Sequence, residues 1–323
     1  MRTFYFRTMG GKGIGYGHYY RLLSIAKALE VDLINAQVFF VVNSDLESLV
    51  KSNGHSCIIS NDFASDFKLL SIGESDVFVL DSYLAKDSYL LKIKKHCKLV
   101  LIDDNNDVYN SLIPDVIVNG NFHANSLNYK VTNNQELLLG PKYLTMREEY
   151  STKIETKTEN DILITTGGTD DDEVSLELLK VLQKTRLRIK IIIGPAFKDT
   201  LVEKLKNSIV NELTTLIYRP VSLKDHIDSS RLVVTAGGST TYEVLARNKP
   251  LIVFSIADNQ DRICDYLEKN GVAFIGKFPN INYIDLKRVI ENDIQKYEKK
   301  FIELYRAVDG KGALRVAIRL SAL

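Results

Sequence analysis

The chain is poor in cysteine, proline and histidine, with three, six and five of them in 323 residues, and it has no tryptophan. Cys57, Cys97 and Cys264 are odd in number, widely spaced and set among apolar or helical residues, so neither a disulfide framework nor a CxxC metal site is supported. A reducing cytosol is the expected compartment. Net charge is missing too. Forty-two basic side chains against 41 acidic ones leave +1, so no overall field draws the protein to nucleic acid or to an anionic membrane, and any anionic ligand must be held locally. No apolar run approaches the roughly 18 residues of a membrane span, and the opening MRTFYFRTMGGKG has no h-region of a signal peptide. A cytoplasmic protein without nucleic-acid or membrane partners is expected.

The composition that remains is that of a folded protein, 45% hydrophobic and 26% charged, and its length fits two domains of about 150 residues each. Short β-rich runs stand at 3–7, 37–42, 76–81, 98–102 and 115–118, with helical patterns at Tyr19–Leu29 and Ala85–His96 between them. The same grammar returns in strand runs at 161–166, 189–193, 214–218, 231–235, 250–254 and 272–275. Helices are expected between these runs at 171–184, 197–208, 222–229, 239–247 and 259–269. Strands alternating with helices imply parallel sheets covered on both faces, hence two Rossmann-like, doubly wound α/β domains. The expected organisation is a first domain over 1–145, a polar connection at 146–160, a second domain over 161–305 that includes a long polar helix near 284–305, and a terminal helix in 306–323 that could pack back on the first domain.

Three glycine-rich segments sit where a strand hands over to a helix. The first runs from Gly10 to His18 (GGKGIGYGH). A P-loop would need Ser or Thr after Lys12, and a dinucleotide fingerprint starting at Gly13 would need glycine where His18 stands, so a generic anion site is left. His18 opens the helix, whose positive end disfavours imidazolium. It is either a neutral general base or a residue that caps the turn. In the second segment, TAGGSTTYE at 235–243, Gly237 and Gly238 allow close approach, Ser239 and Thr240 offer amides and hydroxyls to phosphate, and Glu243 can accept from vicinal ribose hydroxyls. The alternative there is an ordinary N-capped helix. Gly167, Gly168 and Thr169, in TTGGTD at 165–170, form the third segment, on the same cleft side if the sheet is parallel.

Carboxylates and amides join these loops. Asp81 and Tyr83 follow the strand DVFVLD, where they either work on a substrate or a water or simply end the strand. Asn259 and Gln260 can donate to and accept from sugar groups, or cap the next helix. Asp103–Asp104 and Asp170–Asp172 invite a divalent metal, but acidic residues directly before a helix are expected to cap it, and chemistry without metal or cofactor is favoured. His55, His96, His123 and His226 have no metal-ligand spacing and read as surface or loop residues.

GYGHYYR at 15–21, VLDSY at 79–83, LIDD at 101–104, DVIVNGN at 115–121, LLGPKY at 138–143, TTGGTD at 165–170, AGGSTTYEVL at 236–245, ADNQ at 257–260 and DGKGA at 309–313 resemble the PseG family of nucleotide-sugar hydrolases. That family shares the GT-B fold with the MurG glycosyltransferase. The resemblance runs through nearly the whole chain. It implies two Rossmann-like domains facing a cleft and hydrolysis of UDP-2,4-diacetamido-2,4,6-trideoxy-β-L-altropyranose to UDP and free sugar in pseudaminic acid biosynthesis, water attacking the anomeric carbon with inversion. His18 would be the base, with Tyr83 and Asp81 beside it. Glu243 would bind ribose, Asn259 and Gln260 the diphosphate and sugar, and Gly15, Gly17 and Arg21 would join the substrate-binding set. The open alternatives are a MurG-like glycosyltransferase, a hydrolase of another UDP-sugar, and a non-catalytic sensor.

Overall fold

Apolar runs four to six residues long, buried on both sides, become the inner parallel strands, because strands covered by helices on both faces tolerate no polar face. The computed structural model describes residues 2–11, 13–32, 36–152, 157–159, 161–185, 187–293 and 301–323. These group into two units, Met1–Glu148 with Gly310–Leu323, and Glu149–Asp309.

In the first unit the strands are β1 (Thr3–Arg7), β2 (Gln37–Val42), β3 (Ser56–Ile59), β4 (Val77–Leu80), β5 (Lys98–Ile102), β6 (Val116–Asn119) and β7 (Glu136–Leu139). Among the described residues they form one parallel sheet in the order β3-β2-β1-β4-β5-β6-β7. The helices are α1 (Gly17–Asp32), α2 (Glu47–Ser52), α3 (Asp66–Leu69) and α4 (Asp87–Lys94). Side chains alternate across the sheet with the strand period of two. Phe4, Phe6, Phe40, Val79 and Val100 pack with Leu22, Ile25 and Leu29 of α1 on one face. Tyr5, Val41, Phe78, Leu80 and Leu101 meet Tyr89, Leu90 and Ile93 of α4 on the other.

The second unit carries β8 (Asp161–Thr165), β9 (Arg188–Ile193), β10 (Thr214–Tyr218), β11 (Leu232–Ala236), β12 (Leu251–Ser255) and β13 (Ala273–Lys277). Among the described residues their order is β10-β9-β8-β11-β12-β13, again parallel. Its helices are α5 (Val174–Leu182), α6 (Asp199–Ser208), α7 (Lys224–Ser229), α8 (Thr240–Ala246), α9 (Asp261–Lys269), α10 (Tyr283–Arg288) and α11 (Ile302–Ala307). A π turn over Val289–Asp293 extends α10. The middle of the polar helix expected over 284–305 lies outside the described residues, as do 153–156 and 160 of the connection expected at 146–160. Arg247 ties the start of this unit to its core. Its guanidinium donates to Asp228 and to the carbonyls of Tyr150 and Thr152.

The last helix, α12 (Gly312–Ser321), belongs to the first unit, where Val316, Ala317 and Leu320 enter the α1 face of the core. Arg319 pairs with Glu136 of β7, and Arg315 donates to the Lys142 carbonyl at 3.0 Å. Gly312 is required for this packing, since a Cβ there would stand 2.1 Å from the Leu144 carbonyl oxygen. No helix among the described residues is long and apolar enough to cross a membrane.

Each sheet reverses direction once, between β1 and β4 in the first unit and between β8 and β11 in the second. In open parallel sheets the crevice beyond the carboxyl ends of the strands at such a reversal is where ligands bind.

Candidate active site

In the first unit the reversal gathers polar side chains from three strand ends. The loop from β1 to α1 is closed on itself: the Gly11 amide donates to the Gly15 carbonyl at 3.1 Å and the Gly15 amide to the Gly11 carbonyl at 2.8 Å. Gly11, Gly13 and Gly15 have φ of 115°, 87° and 82°, so glycine is the residue type this tight loop requires. Lys12 lies outside the described residues. The Gly15 amide therefore faces into the loop, while the space over Gly15 and Gly17 is open.

The loop delivers His18 as the second residue of α1, and Arg21, three residues on, lies on the same helical face. Asp81 follows β4 and is fully buried. His18 Nδ1 stands 2.6 Å from Asp81 Oδ1. Arg21 donates from Nε to Asp81 Oδ2 at 2.9 Å and from Nη2 to Oδ1 at 2.7 Å. Nη2 also lies 2.9 Å from His18 Nδ1. A carboxylate oxygen this close to Nδ1 needs a hydrogen between them, so Nδ1 carries it and the Arg21 hydrogen goes to the shared Asp81 oxygen. The lone pair is then on Nε2, which has no hydrogen-bond partner among the described residues. A histidine held this way accepts a proton at Nε2 and is stabilised as imidazolium by its carboxylate.

Asp104, two residues beyond the end of β5, completes the cluster. Arg21 Nη1 donates to its Oδ1 at 2.7 Å and to its Oδ2 at 2.8 Å, Asn121 Nδ2 donates to Oδ1 at 2.8 Å, and the Tyr83 hydroxyl donates to Oδ2. Burial alone would raise the Asp104 carboxyl, but the Arg21 charge and the hydrogen bonds outweigh it and hold the group well below the usual carboxylate range. Desolvation, then the Asp104 charge, push the Tyr83 phenol well above its ordinary value, so it stays protonated and its hydrogen is committed to Asp104. The Tyr83 ring meets the His18 ring edge-on at 4.8 Å.

His18, Asp81, Tyr83 and Arg21 are thus brought together, but the Arg21 guanidinium, assigned to substrate from the sequence, bridges two carboxylates. Asp104 was visible only as half of an acidic pair. Asp103 beside it turns away and accepts from the Asn106 amide at 2.7 Å and from the Tyr129 hydroxyl. His123, expected as a loop residue, lies with Nε2 3.1 Å from the Asp104 carbonyl oxygen. His55, read from the sequence as a surface or loop residue, lies in the turn between α2 and β3 and is buried, its ring edge-on against Phe40.

In the second unit both glycine loops flank the β8/β11 reversal. After β8, Gly167 has φ 100° and open space remains over Gly167 and Gly168. Thr166 donates to the Thr169 carbonyl at 3.1 Å, which fixes the loop. Asp170 caps α5, accepting from the amides of Val174 and Ser175 at 2.9 Å each. Because Glu173 turns left-handed, with φ 55°, α5 begins at Val174 and not at 171. Under this loop, Gly194 follows β9. A Cβ there would stand 2.5 and 2.6 Å from the carbonyl oxygens of Gly167 and Gly168. Gly194→Ala is expected to lower stability by about 1–3 kcal/mol through a shift of this loop, read as a lower thermal midpoint, and an unchanged melt would show that the loop yields freely.

After β11, the Gly237 amide donates to the Phe254 carbonyl at 2.8 Å, and the Thr241 and Tyr242 amides turn back to the carbonyls of Gly238 and Ser239 at 3.1 Å each. Ser239 and Thr240 stand at the open, positive end of α8 with Glu243 in its first turn. Gly237 is needed because its Cβ would meet Cys264 Sγ at 2.3 Å, while the space over Gly238 is open. Asn259 is exposed. Gln260 accepts the Ile256 amide through Oε1 at 2.9 Å, which leaves its Nε2 pointing elsewhere. Lys277 pairs with Asp258 and Asp261, both at 2.6 Å, and so fixes this turn.

Two parallel-sheet α/β units of this order constitute the GT-B glycosyltransferase fold. Acinetobacter baumannii MurG matches with a TM-score of 0.66 over 100% of this chain and 99% of its own, at 11% identity. The glycotransferase of kitacinnamycin matches at 0.67 over 99% and 98%, at 13% identity. In sequence, an uncharacterized protein of Methanocaldococcus jannaschii is 27% identical over 295 residues, 86% of this chain but 61% of that protein, so the chain spans under two thirds of that relative. The Campylobacter jejuni UDP-2,4-diacetamido-2,4,6-trideoxy-beta-L-altropyranose hydrolase is 25% identical over 282 residues, 82% of this chain and 96% of its own length. No protein-family profile matches the chain. The chain is a distant relative of a UDP-sugar hydrolase, on a GT-B fold.

Proposed function

We propose that the protein hydrolyses a UDP-linked diacetamido-trideoxy sugar to UDP and the free sugar. The observation that carries this reading is the His18–Asp81 pair, which turns an unpartnered Nε2 outward at the sheet reversal of the first unit. Nε2 takes a proton from a water as its oxygen attacks the anomeric carbon, and the bond from that carbon to the diphosphate oxygen breaks with inversion. His18 then carries the proton, balanced by Asp81, and UDP leaves with the bond's electron pair. A well-placed base supplies about 10²–10⁴-fold. The amides and hydroxyls of Ser239 and Thr240 stabilise the diphosphate charge, and the amides of Gly168 and Thr169 add a second approach. The nucleotide and sugar of this reading are those in the name of the Campylobacter jejuni relative, which supports it. The proposed chemistry calls for no metal or cofactor, and the proposed partners are the UDP-sugar and UDP.

Glu243 is assigned to the ribose hydroxyls. Each hydrogen bond to a charged group contributes about 1.5–3 kcal/mol, so Glu243→Gln is expected to weaken UDP binding about tenfold or more by calorimetry. Unchanged affinity would remove that assignment.

A second reading is transfer of the sugar to an acceptor. Ile14, Tyr16 and Tyr20 are exposed around the His18 loop and offer an apolar rim to such a molecule. Incubation with the UDP-sugar in water enriched in heavy oxygen, followed by proton NMR and mass spectrometry, separates the two. Free sugar carrying the label, equimolar with UDP and formed without acceptor, is the expected result. UDP release only on addition of an acceptor, or label in UDP, overturns hydrolysis at carbon.

A further inference from the structure

We propose that Asp104 is the positioning residue of this site, holding the Arg21 guanidinium and the Tyr83 hydroxyl so that the His18 Nδ1 hydrogen stays on Asp81 and Nε2 stays free. The catalytic consequence rests on the reading of His18 as a base; the geometry does not.

Arg21 sits between two carboxylates and competes with His18 for one of them. Asp81 Oδ1 accepts from both His18 Nδ1 at 2.6 Å and Arg21 Nη2 at 2.7 Å, so any shift of the guanidinium toward Asp81 displaces the imidazole. Asp104 opposes that shift by engaging Nη1 with both of its oxygens. It is itself fixed at several points. Asn121 and Tyr83 donate to the carboxylate, and Asn119 Nδ2 donates to the backbone carbonyl at 3.0 Å, where His123 Nε2 also lies close. The ends of β5 and β6 thereby set the position of a ring that belongs to α1. Asp104 reaches His18 only through Arg21 and Tyr83, so its action is on geometry and charge.

The charged and titratable groups facing His18 are Asp81 and Tyr83 after β4 and Arg21 on α1, with Asp104 behind Arg21. Two carboxylates against one guanidinium leave one net negative charge around the ring. Asp104→Asn removes it, and its amide nitrogen meets donors where an oxygen accepted. A displacement of the ring by a fraction of an ångström lowers kcat by about 10- to 100-fold. KM for the UDP-sugar stays within about twofold, since no group in this chain of contacts is assigned to the nucleotide.

The deciding measurement does not depend on turnover. Nitrogen-15 NMR of the free full-length protein reports which His18 nitrogen carries hydrogen and where the ring titrates. The expected result is an Nδ1–H tautomer in the wild type, a mixture or the Nε2–H tautomer in Asp104→Asn, and the wild-type tautomer in Tyr83→Phe, which retains the Arg21–Asp104 contact. An unchanged tautomer and midpoint in Asp104→Asn overturns the proposal, and loss of the tautomer in Tyr83→Phe overturns the route through Arg21. If near-ultraviolet dichroism shows that Asp104→Asn does not fold, Arg21→Gln is read by the same criterion, breaking the same chain one link nearer to His18. A wild type that hydrolyses no UDP-sugar yet shows these tautomers rejects the hydrolase reading alone; hydrolysis with an unmoved tautomer rejects the positioning alone.

Discussion

His18→Ala is expected to lower turnover of the UDP-sugar by about 10²–10⁴-fold while leaving UDP affinity, measured by calorimetry, within about twofold. The size follows from what the ring supplies. Without Nε2 the attacking water keeps its proton until late in the reaction, and the positive charge that Asp81 balances never forms. Binding is spared because the residues assigned to the nucleotide lie on the second unit, after β8 and β11. The acid limb of the pH profile should vanish with the side chain, since it reports the loss of the neutral imidazole as pH falls. Wild-type turnover in the variant would refute the assigned base. A large loss of UDP affinity would instead make His18 a binding residue. The alanine leaves no unpaired buried charge, because Arg21 still pairs with Asp81, so the thermal midpoint should move little.

The fold was legible in the sequence to the extent that strands were apolar on both sides. TFYFR, QVFFVV and KLVLI became β1, β2 and β5 with the bounds read from the sequence, and TTLIY became β10 likewise, a partly exposed edge strand marked by its β-branched and aromatic residues. β3 and β7 were missed. Each is a partly exposed four-residue strand at an edge of the sheet, and SCII and ELLL lack the run of β-branched and aromatic residues that marks the equally short VFVL and VIVN of β4 and β6. Within the second unit, element bounds moved by up to three residues where local chemistry decides them. Asp170 delays α5, and a short 3-10 turn at Asp258–Gln260 precedes α9.

At the site, the single residues were legible but their relations were not. Asp81 and Asp104 are 23 positions apart, and only the β4–β5 neighbour relation in the sheet places both carboxylates at one end. Two signals were available in retrospect. Arg21 stands one helical turn after His18, and each of two consecutive apolar runs, VFVL and KLVLI, ends in aspartate. Neither states that one guanidinium bridges both acids, because that depends on the strand order that puts β1 beside β4. The glycines before His18 read as a generic anion site, and the sequence did not show that Gly11 and Gly15 pair with each other across the loop.

Asp81→Asn should cost nearly as much as losing the histidine, about 10²–10⁴-fold in turnover, although it changes one oxygen to nitrogen. Asp81 touches no substrate in the mechanism above, and its effect is on the tautomer. An asparagine amide turned toward His18 donates to Nδ1, moves the ring hydrogen to Nε2 and leaves a base that cannot accept at the working atom. Turned the other way, its nitrogen meets Arg21 Nε while its oxygen still accepts from His18 Nδ1 and Arg21 Nη2, so the size of the loss reports how far the first orientation forms. Arg21 keeps its contacts to Asp104, so the fold should survive, with thermal unfolding as the check. The two residues act as a unit, so the double variant His18→Ala/Asp81→Asn should be no slower than His18→Ala alone, within a few-fold. Effects that multiply would mean that Asp81 contributes independently of the histidine, for instance by binding the sugar directly. The KM of Asp81→Asn then decides, because a tautomer change leaves KM near wild type and lost sugar contacts raise it.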